Sequence, residues 1–308
     1  MNKKLIAWLR IMRLQFYPMT FMAYSLGAVV AASKTQAFDV SLFLLGYLYL
    51  CLLELCTILA NELFDLPTDR INENASPFNG GSRMLVEGRL QPSEVKTALT
   101  VKFLLLAVLG LWLVIACNPD ARRWVILFLT GGLIMGLGYT VPPLKFCYRG
   151  LGELVVGMTH SPYVILCGYV FQSSSWSDPI PWLTSVPLFF AVLGAITLAG
   201  IPDHQADQAV SKKTLSVLLG QRRAALLAGL FVILAFLTGM AIWRSTLVQE
   251  PLGILMLLAA AHGIILVIAI SRRVKSAGLV GRIDGVMQLA LSYIVWFGVI
   301  PLAIYVKA

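Results

Sequence analysis

Two sets of carboxylates carry the chemistry written into this chain. Asn61, Asp65 and Asp69 recur every four residues in the stretch Asn-Glu-Leu-Phe-Asp-Leu-Pro-Thr-Asp, so on a helix they share one face. Asp203 and Asp207 repeat that spacing in Asp-His-Gln-Ala-Asp. Both sets stand at the end of a long apolar run, residues 42–60 in the first case. Carboxylates beside hydrocarbon are costly unless paired or metal-bound. Clustered Asp and Asn oxygens suit Mg²⁺, which keeps several waters and shares its sphere with phosphate oxygens. The pattern predicts that the two sets face each other and hold divalent metal ions that clamp a diphosphate. Metal and neighbouring cations would then stabilise the charge developing on a departing diphosphate.

Cations are close by in sequence. Arg70 directly follows the first motif, and Asn79-Gly80-Gly81-Ser82-Arg83 reads as a flexible glycine turn ending in a cation. Lys145 and Arg149 flank another turn, and Lys212 and Lys213 follow the second motif. Of these, Arg83, Lys145 and Lys212 stand out as substrate-binding candidates, with Arg70 beside them. Glu54 lies seven residues before Asn61 on the same helical face. A glutamate inside an apolar span is a functional candidate; it either touches an acceptor substrate or is hydrogen-bonded to a neighbouring helix. Glu153 reads as a packing group, as do His160 and His262, single histidines in apolar runs. His204 lies between the second-motif aspartates and points away from their face. Pro18, Pro162 and Pro301 are positioned to kink spans and help enclose a cavity.

The elements that position these groups are membrane spans. Of 308 residues, 58% are hydrophobic and 13% charged, against roughly 25% charged in soluble domains. Apolar runs long enough to cross a bilayer fall near 14–32, 41–62, 97–117, 123–142, 152–171, 183–200, 224–243, 252–270 and 286–306, about nine helices in all. Residues 1–13 are basic, yet no small-residue cleavage site follows a short apolar core, so the first span is expected to stay in place. Lys3, Lys4, Arg10, Arg13 and most other basic residues fall in alternate loops, whereas the opposite side holds Lys34, Arg122, Arg123, Arg244 and Lys307. That bias puts the N-terminus and both acidic motifs in the cytoplasm. It also explains the net charge of +9 without a nucleic-acid partner. The five cysteines sit in or beside apolar runs and form no C-x-x-C pair, so they read as buried apolar residues. The expected architecture is an all-α, polytopic membrane bundle forming one domain over residues 1–308.

The motifs resemble those of the UbiA superfamily of intramembrane aromatic prenyltransferases. Asn61, Asp65 and Asp69 match its first motif, Asp203 and Asp207 its second, and Lys212-Lys213-Thr214-Leu215 is similar to the basic continuation that follows. Within the superfamily, the stretch from Tyr139 through Pro142, Pro143 and Lys145 to Arg149-Gly150-Leu151-Gly152-Glu153 is similar to the 1,4-dihydroxy-2-naphthoate prenyltransferase branch. So is Gly80-Gly81-Ser82-Arg83 followed by Leu85-Val86-Glu87-Gly88. The resemblance implies a helical bundle around a central cavity with a side opening to lipid. It implies Mg²⁺ on Asn61, Asp65, Asp69, Asp203 and Asp207. An allylic prenyl diphosphate would be the donor, and Arg83, Lys145, Lys212, Tyr139, Glu54 and Arg70 would contact substrate. An electron-rich ring would capture the allylic cation, with loss of a proton or of carbon dioxide. The preferred reading is a naphthoate-type enzyme of menaquinone-type quinone biosynthesis. The alternatives are a 4-hydroxybenzoate-type or non-aromatic acceptor, or, in a different class, a cation-coupled transporter.

Overall fold

The computed structural model describes residues 3–246, 253–275 and 281–306. Among them, nine helical segments are long and apolar enough to cross a bilayer. The helices in order are α1 (Lys3–Ile11), α2 (Tyr17–Thr35), α3 (Val40–Phe64), α4 (Leu66–Ile71), α5 (Pro92–Ala116), α6 (Arg122–Gly138), α7 (Gly152–Met158), α8 (Val164–Gln172), α9 (Pro179–Ala199), α10 (His204–Ala209), α11 (Leu215–Leu219), α12 (Gln221–Thr246), α13 (Gly253–Lys275) and α14 (Asp284–Tyr305). The expected spans are recovered with shifted ends. Lys307, the side chain of Arg244 and residue 252 lie outside the described residues.

Hydrocarbon offers no hydrogen bonds, so each span satisfies its own backbone as helix. The outer face of α5 shows what lies around the bundle. Leu104, Val108, Leu111 and Ile115, spaced by four, three and four, are all exposed, a stripe suited to lipid tails. Inside, α9 packs against α12, α14 and α7, and α2 against α8. The α2–α8 crossing depends on two glycines. A Cβ on Gly27 would lie 1.8 Å from the Ile165 carbonyl oxygen, and one on Gly168 would lie 2.0 Å from that of Tyr24. Small residues at such crossings let backbones approach closely.

The two ends of the bundle differ. At one end, Lys4 pairs with Glu94, Arg13 Nη2 donates to the Phe78 carbonyl at 3.3 Å, and both aspartate motifs are found. At the other, Lys34 pairs with Asp178, and Asp39 and Gln172 exchange hydrogen bonds of 2.9 and 3.0 Å. One expected kink needs correction. Pro18 occupies the first turn of α2, where its missing N–H costs nothing, so it kinks no span. The first span is instead broken at Arg13, which is left-handed at φ 49°. Pro162 lies in a π-helical turn, Thr159–Tyr163, joining α7 to α8. The cysteines are free, and all but Cys51 are buried.

Candidate active site

Each aspartate motif sits where a spanning helix gives way to a short one. α3 stops at Phe64, Asp65 bends the chain at φ −92°, ψ 0°, and α4 restarts with Pro67 in its first turn. The helical ladder nonetheless carries through the joint: Asp65 N–H bonds Asn61 O at 2.8 Å and Asp69 N–H bonds Asp65 O at 2.9 Å. Asn61, Asp65 and Asp69 therefore keep their common face across the break. The second motif repeats the device. α9 ends at Ala199, Asp203 precedes α10, and Asp207 N–H bonds Asp203 O at 2.8 Å.

The bundle brings both motifs to one cavity of about 300 Å³. Asn61, Asp65, Asp69, Asp203, Asp207, Lys212 and Tyr139 line its polar part, and Val155, Val192, Ile196, Met287, Leu291 and Ile294 its apolar part. Asn61 Nδ2 donates to Asp65 Oδ2 at 2.9 Å. Lys212 bridges the motifs: its Nζ lies 3.0 Å from Asp65 Oδ1 and 3.8 Å from Asp207 Oδ1. Asp203 Oδ1 accepts from Asn72 Nδ2 at 2.6 Å and Asn79 Nδ2 at 2.5 Å, and Asp207 Oδ2 from Thr214 Oγ1 at 3.2 Å.

These aspartates are short of positive charge. Burial, then repulsion from Asp65 and Glu62, pushes Asp69 up to about 7. Asp207 also rises to about 7, through burial and Asp203, against the pull of Lys212. Burial raises Asp203 in spite of its two asparagine donors. Burial would discharge Lys212, but Asp65 and Asp207 outweigh it and hold its ammonium above the ordinary lysine range. Burial, followed by Cys147 and Glu153, keeps the Tyr139 hydroxyl protonated well above its usual range.

Two loops complete the polar wall. Glu62, buried at the end of α3, accepts from Ser82 N–H at 2.6 Å and from Ser82 Oγ at 2.7 Å. That bond pins the glycine turn over Asp69. Gly81 adopts φ +69°, and a Cβ there would lie 2.2 Å from Asp69 Oδ2. On the other side, Glu153 Oε1 accepts from Leu215 N–H at 2.7 Å, anchoring the segment after the second motif. His204 Nδ1 lies 2.9 Å from Ser216 O and His204 does not line the cavity, in keeping with a spacing that points it away from the aspartate face.

The sequence-predicted cations divide. Lys212 lies inside the cavity. Arg83 donates to the backbone carbonyl of Asp69 and is absent from the lining, so it braces the motif. Lys145 stands 4.1 Å over the Tyr148 ring, and Arg70 is exposed; neither lines the cavity. Glu54 lines a second, adjoining cavity. Sequence reasoning missed Glu62, Asn72 and Arg13, which also lines the main cavity. Glu62 and Asn72 had a faint signal in their closeness to the motif; Arg13 had none beyond its charge.

Oxygen donors of this kind fit a divalent cation. Among the described residues, buried Asp65 Oδ1 meets the Lys212 ammonium at 3.0 Å and no further donor. Among the described residues, however, no three His, Cys, Asp or Glu side chains close around one point. The motifs line opposite sides of a space instead of forming a ready-made cage. Mg²⁺ favours this arrangement, because it completes its sphere with water and phosphate.

Spanning helices around one cavity, acidic in one part and apolar in the other, define a polytopic membrane protein with an acidic site at one end of its spans. The model of the UbiA prenyltransferase family matches residues 20–279, and the chain belongs to that family. It is a prenyltransferase. It is 29% identical over 236 residues to a 2-carboxy-1,4-naphthoquinone phytyltransferase of Synechocystis sp., covering 75% of this chain and 71% of the relative. It is 28% identical over 217 residues to the 1,4-dihydroxy-2-naphthoate octaprenyltransferase of Bacillus subtilis, covering 70% and 66%. Its fold matches a UbiA homolog from Archaeoglobus fulgidus solved bound to DMAPP and Mg²⁺, with TM-score 0.64, 16% identity and coverage of 98% and 99%.

Proposed function

We propose that this protein transfers a prenyl group from an allylic prenyl diphosphate to 1,4-dihydroxy-2-naphthoate, with Mg²⁺ held by Asn61, Asp65, Asp69, Asp203 and Asp207. The observation that carries the reading is the pairing of an under-neutralised aspartate chamber, bridged by Lys212, with an apolar chamber continuous with it. A diphosphate with its metal fits the first and an isoprenoid chain the second. The names of the naphthoate-using relatives support the choice of acceptor.

Bound Mg²⁺ would supply Lewis-acid stabilisation of the leaving diphosphate. The residues of the chain do the rest. Lys212, held between Asp65 and Asp207, is placed to lend its ammonium to the diphosphate. Glu62 and Arg83 hold the first motif and the glycine turn in register, and the apolar wall keeps water from the allylic cation. Ring attack forms the carbon–carbon bond, and carbon dioxide leaves the carboxylated carbon. The whole chain 1–308 serves as one membrane-embedded domain, with the aspartate end facing the cytoplasm, as the basic loops favour.

The test is direct. Detergent-purified protein, radiolabelled prenyl diphosphate, 1,4-dihydroxy-2-naphthoate and Mg²⁺ should give prenylated naphthol with release of diphosphate and carbon dioxide. EDTA should abolish it. Equal turnover of 4-hydroxybenzoate would move the acceptor to the benzoate class, and absence of Mg²⁺-dependent diphosphate release would overturn the reading.

A further inference from the structure

Asp65 and Asp207 share the ammonium of Lys212, but the Asp203 carboxylate is held by neutral donors from one loop, residues 72–83. Its Oδ1 accepts from Asn72 Nδ2 at 2.6 Å and Asn79 Nδ2 at 2.5 Å, and the Gly80 N–H also bonds the carboxylate. A carboxylate has about four such sites, so the loop leaves room for about one more ligand. Both amides are fixed in direction by their other ends. Asn72 Oδ1 accepts from Asn74 N–H at 2.9 Å. Asn79 Oδ1 accepts from Ser76 Oγ, and its Nδ2 also reaches Asn74 O at 3.2 Å. An amide turned end for end would set its oxygen against the carboxylate. Both asparagines are 5% exposed, and both line the aspartate chamber. Gly80 makes room for the first of them: it is left-handed at φ +71°, and a Cβ there would lie 2.7 Å from Asn72 Nδ2.

The far end of the same loop grips the first motif. Ser82 donates twice to Glu62, and Arg83 donates to the Asp69 carbonyl. One loop therefore ties the two ligand sets together, and its contacts at the Asp203 end carry no charge. A lysine or arginine there would compete with a metal ion for the carboxylate. An amide orients the carboxylate and leaves its charge in place.

We propose that Asn72 and Asn79 are positioning residues that preset Asp203 as a one-oxygen ligand for Mg²⁺, across the chamber from Asp65 and Asp69. The proposal rests on the reading of the aspartates as Mg²⁺ ligands. The asparagines act through Asp203: their amide hydrogens hold one carboxylate oxygen, which fixes the direction of the other. Partners that orient a metal-ligating group change metal affinity about 10–100-fold when they are removed.

The experiment titrates detergent-purified protein with Mn²⁺, read by electron paramagnetic resonance, and displaces it with Mg²⁺, with no prenyl diphosphate present. Asn72→Ala and Asn79→Ala should each weaken Mg²⁺ binding about 10-fold or more. Asn74→Ala is the control. Its side chain reaches Pro202 O at 3.4 Å from the same loop without bonding Asp203, so its loss should leave Mg²⁺ affinity unchanged. In an Asp203→Ala background the Asn72 and Asn79 substitutions should cost no further affinity, because the cycle isolates their contact with that carboxylate. Additive losses in the cycle, an equal loss in Asn74→Ala, or wild-type affinity in both asparagine variants overturns the proposal and leaves the metal site standing. A wild type that binds neither ion removes the metal reading itself, and the proposal with it. If one of the two asparagine variants does not fold, the other decides by the same cycle.

Discussion

Gly81 and Gly88 separate a backbone cost from a site cost. Both are left-handed, at φ +69° and φ +67°, and an alanine in that region costs about 1–2 kcal/mol. Their surroundings differ. A Cβ on Gly88 meets nothing within 4 Å, whereas one on Gly81 would lie 2.2 Å from Asp69 Oδ2. A carbon–oxygen contact needs about 3.2 Å, so the Asp69 carboxylate must retreat by about 1 Å. It is the end of a rotatable side chain, so the retreat costs little folding energy. Gly81→Ala and Gly88→Ala should therefore lose similar stability in thermal unfolding of detergent-solubilised protein. Their rates should diverge. A misplacement of about 1 Å at a reacting centre can cost about 10²-fold, equivalent to about 2.7 kcal/mol of barrier. Gly88→Ala should keep prenyl transfer within about threefold of wild type, while Gly81→Ala falls about 10²-fold. Equal rates for the two variants would refute the placement of the glycine turn against Asp69.

Other outcomes follow from the same geometry. Asp65→Ala or Asp207→Ala should cut turnover about 10²-fold or more while the protein remains folded and membrane-inserted; wild-type turnover in either would remove the two-motif site. Asp69 and Asp207 are raised to about 7, so the folded state binds more protons than the unfolded state between about pH 4 and pH 7. Without metal, stability should then decline as pH rises through that window. Because Mg²⁺ needs the deprotonated ligands, its stabilising effect in thermal unfolding should be larger at about pH 8 than at about pH 6, and an equal effect would count against these ligands. Gly168→Ala places a methyl 2.0 Å from the Tyr24 backbone oxygen, which cannot rotate away. Overpacking of this kind costs about 1–3 kcal/mol, visible as a lowered unfolding midpoint; no shift would mean the α2–α8 crossing is looser than described.

The spans, the motif faces and the ends at which they lie are legible in the chain because they depend on local rules. A segment of about twenty apolar residues must become helix in hydrocarbon, and residues four apart share a face whatever packs on it. The ladder through Asp65 keeps that face even where the helix breaks. Roles that depend on where a long side chain turns were not legible. Arg83, beside the motif in sequence, points at the Asp69 carbonyl. Arg70, nearer still, faces outward. Charge and proximity do not specify a rotamer or the neighbour across the cavity.

By itself, then, the sequence determined a polytopic helical membrane protein with two aspartate faces and basic loops, because repeat spacing and hydropathy act within one segment. Only the tertiary structure decided that Lys212 bridges Asp65 and Asp207, that Asn72 and Asn79 steady Asp203, and that Glu54 accepts from Thr20 on the neighbouring α2. Apart from Lys212 and Asp207, those partners lie far apart in the chain. Their meeting is set by how α3, α8 and α9 pack together, and the close approach of α2 to α8 at Gly27 and Gly168 is part of what sets it.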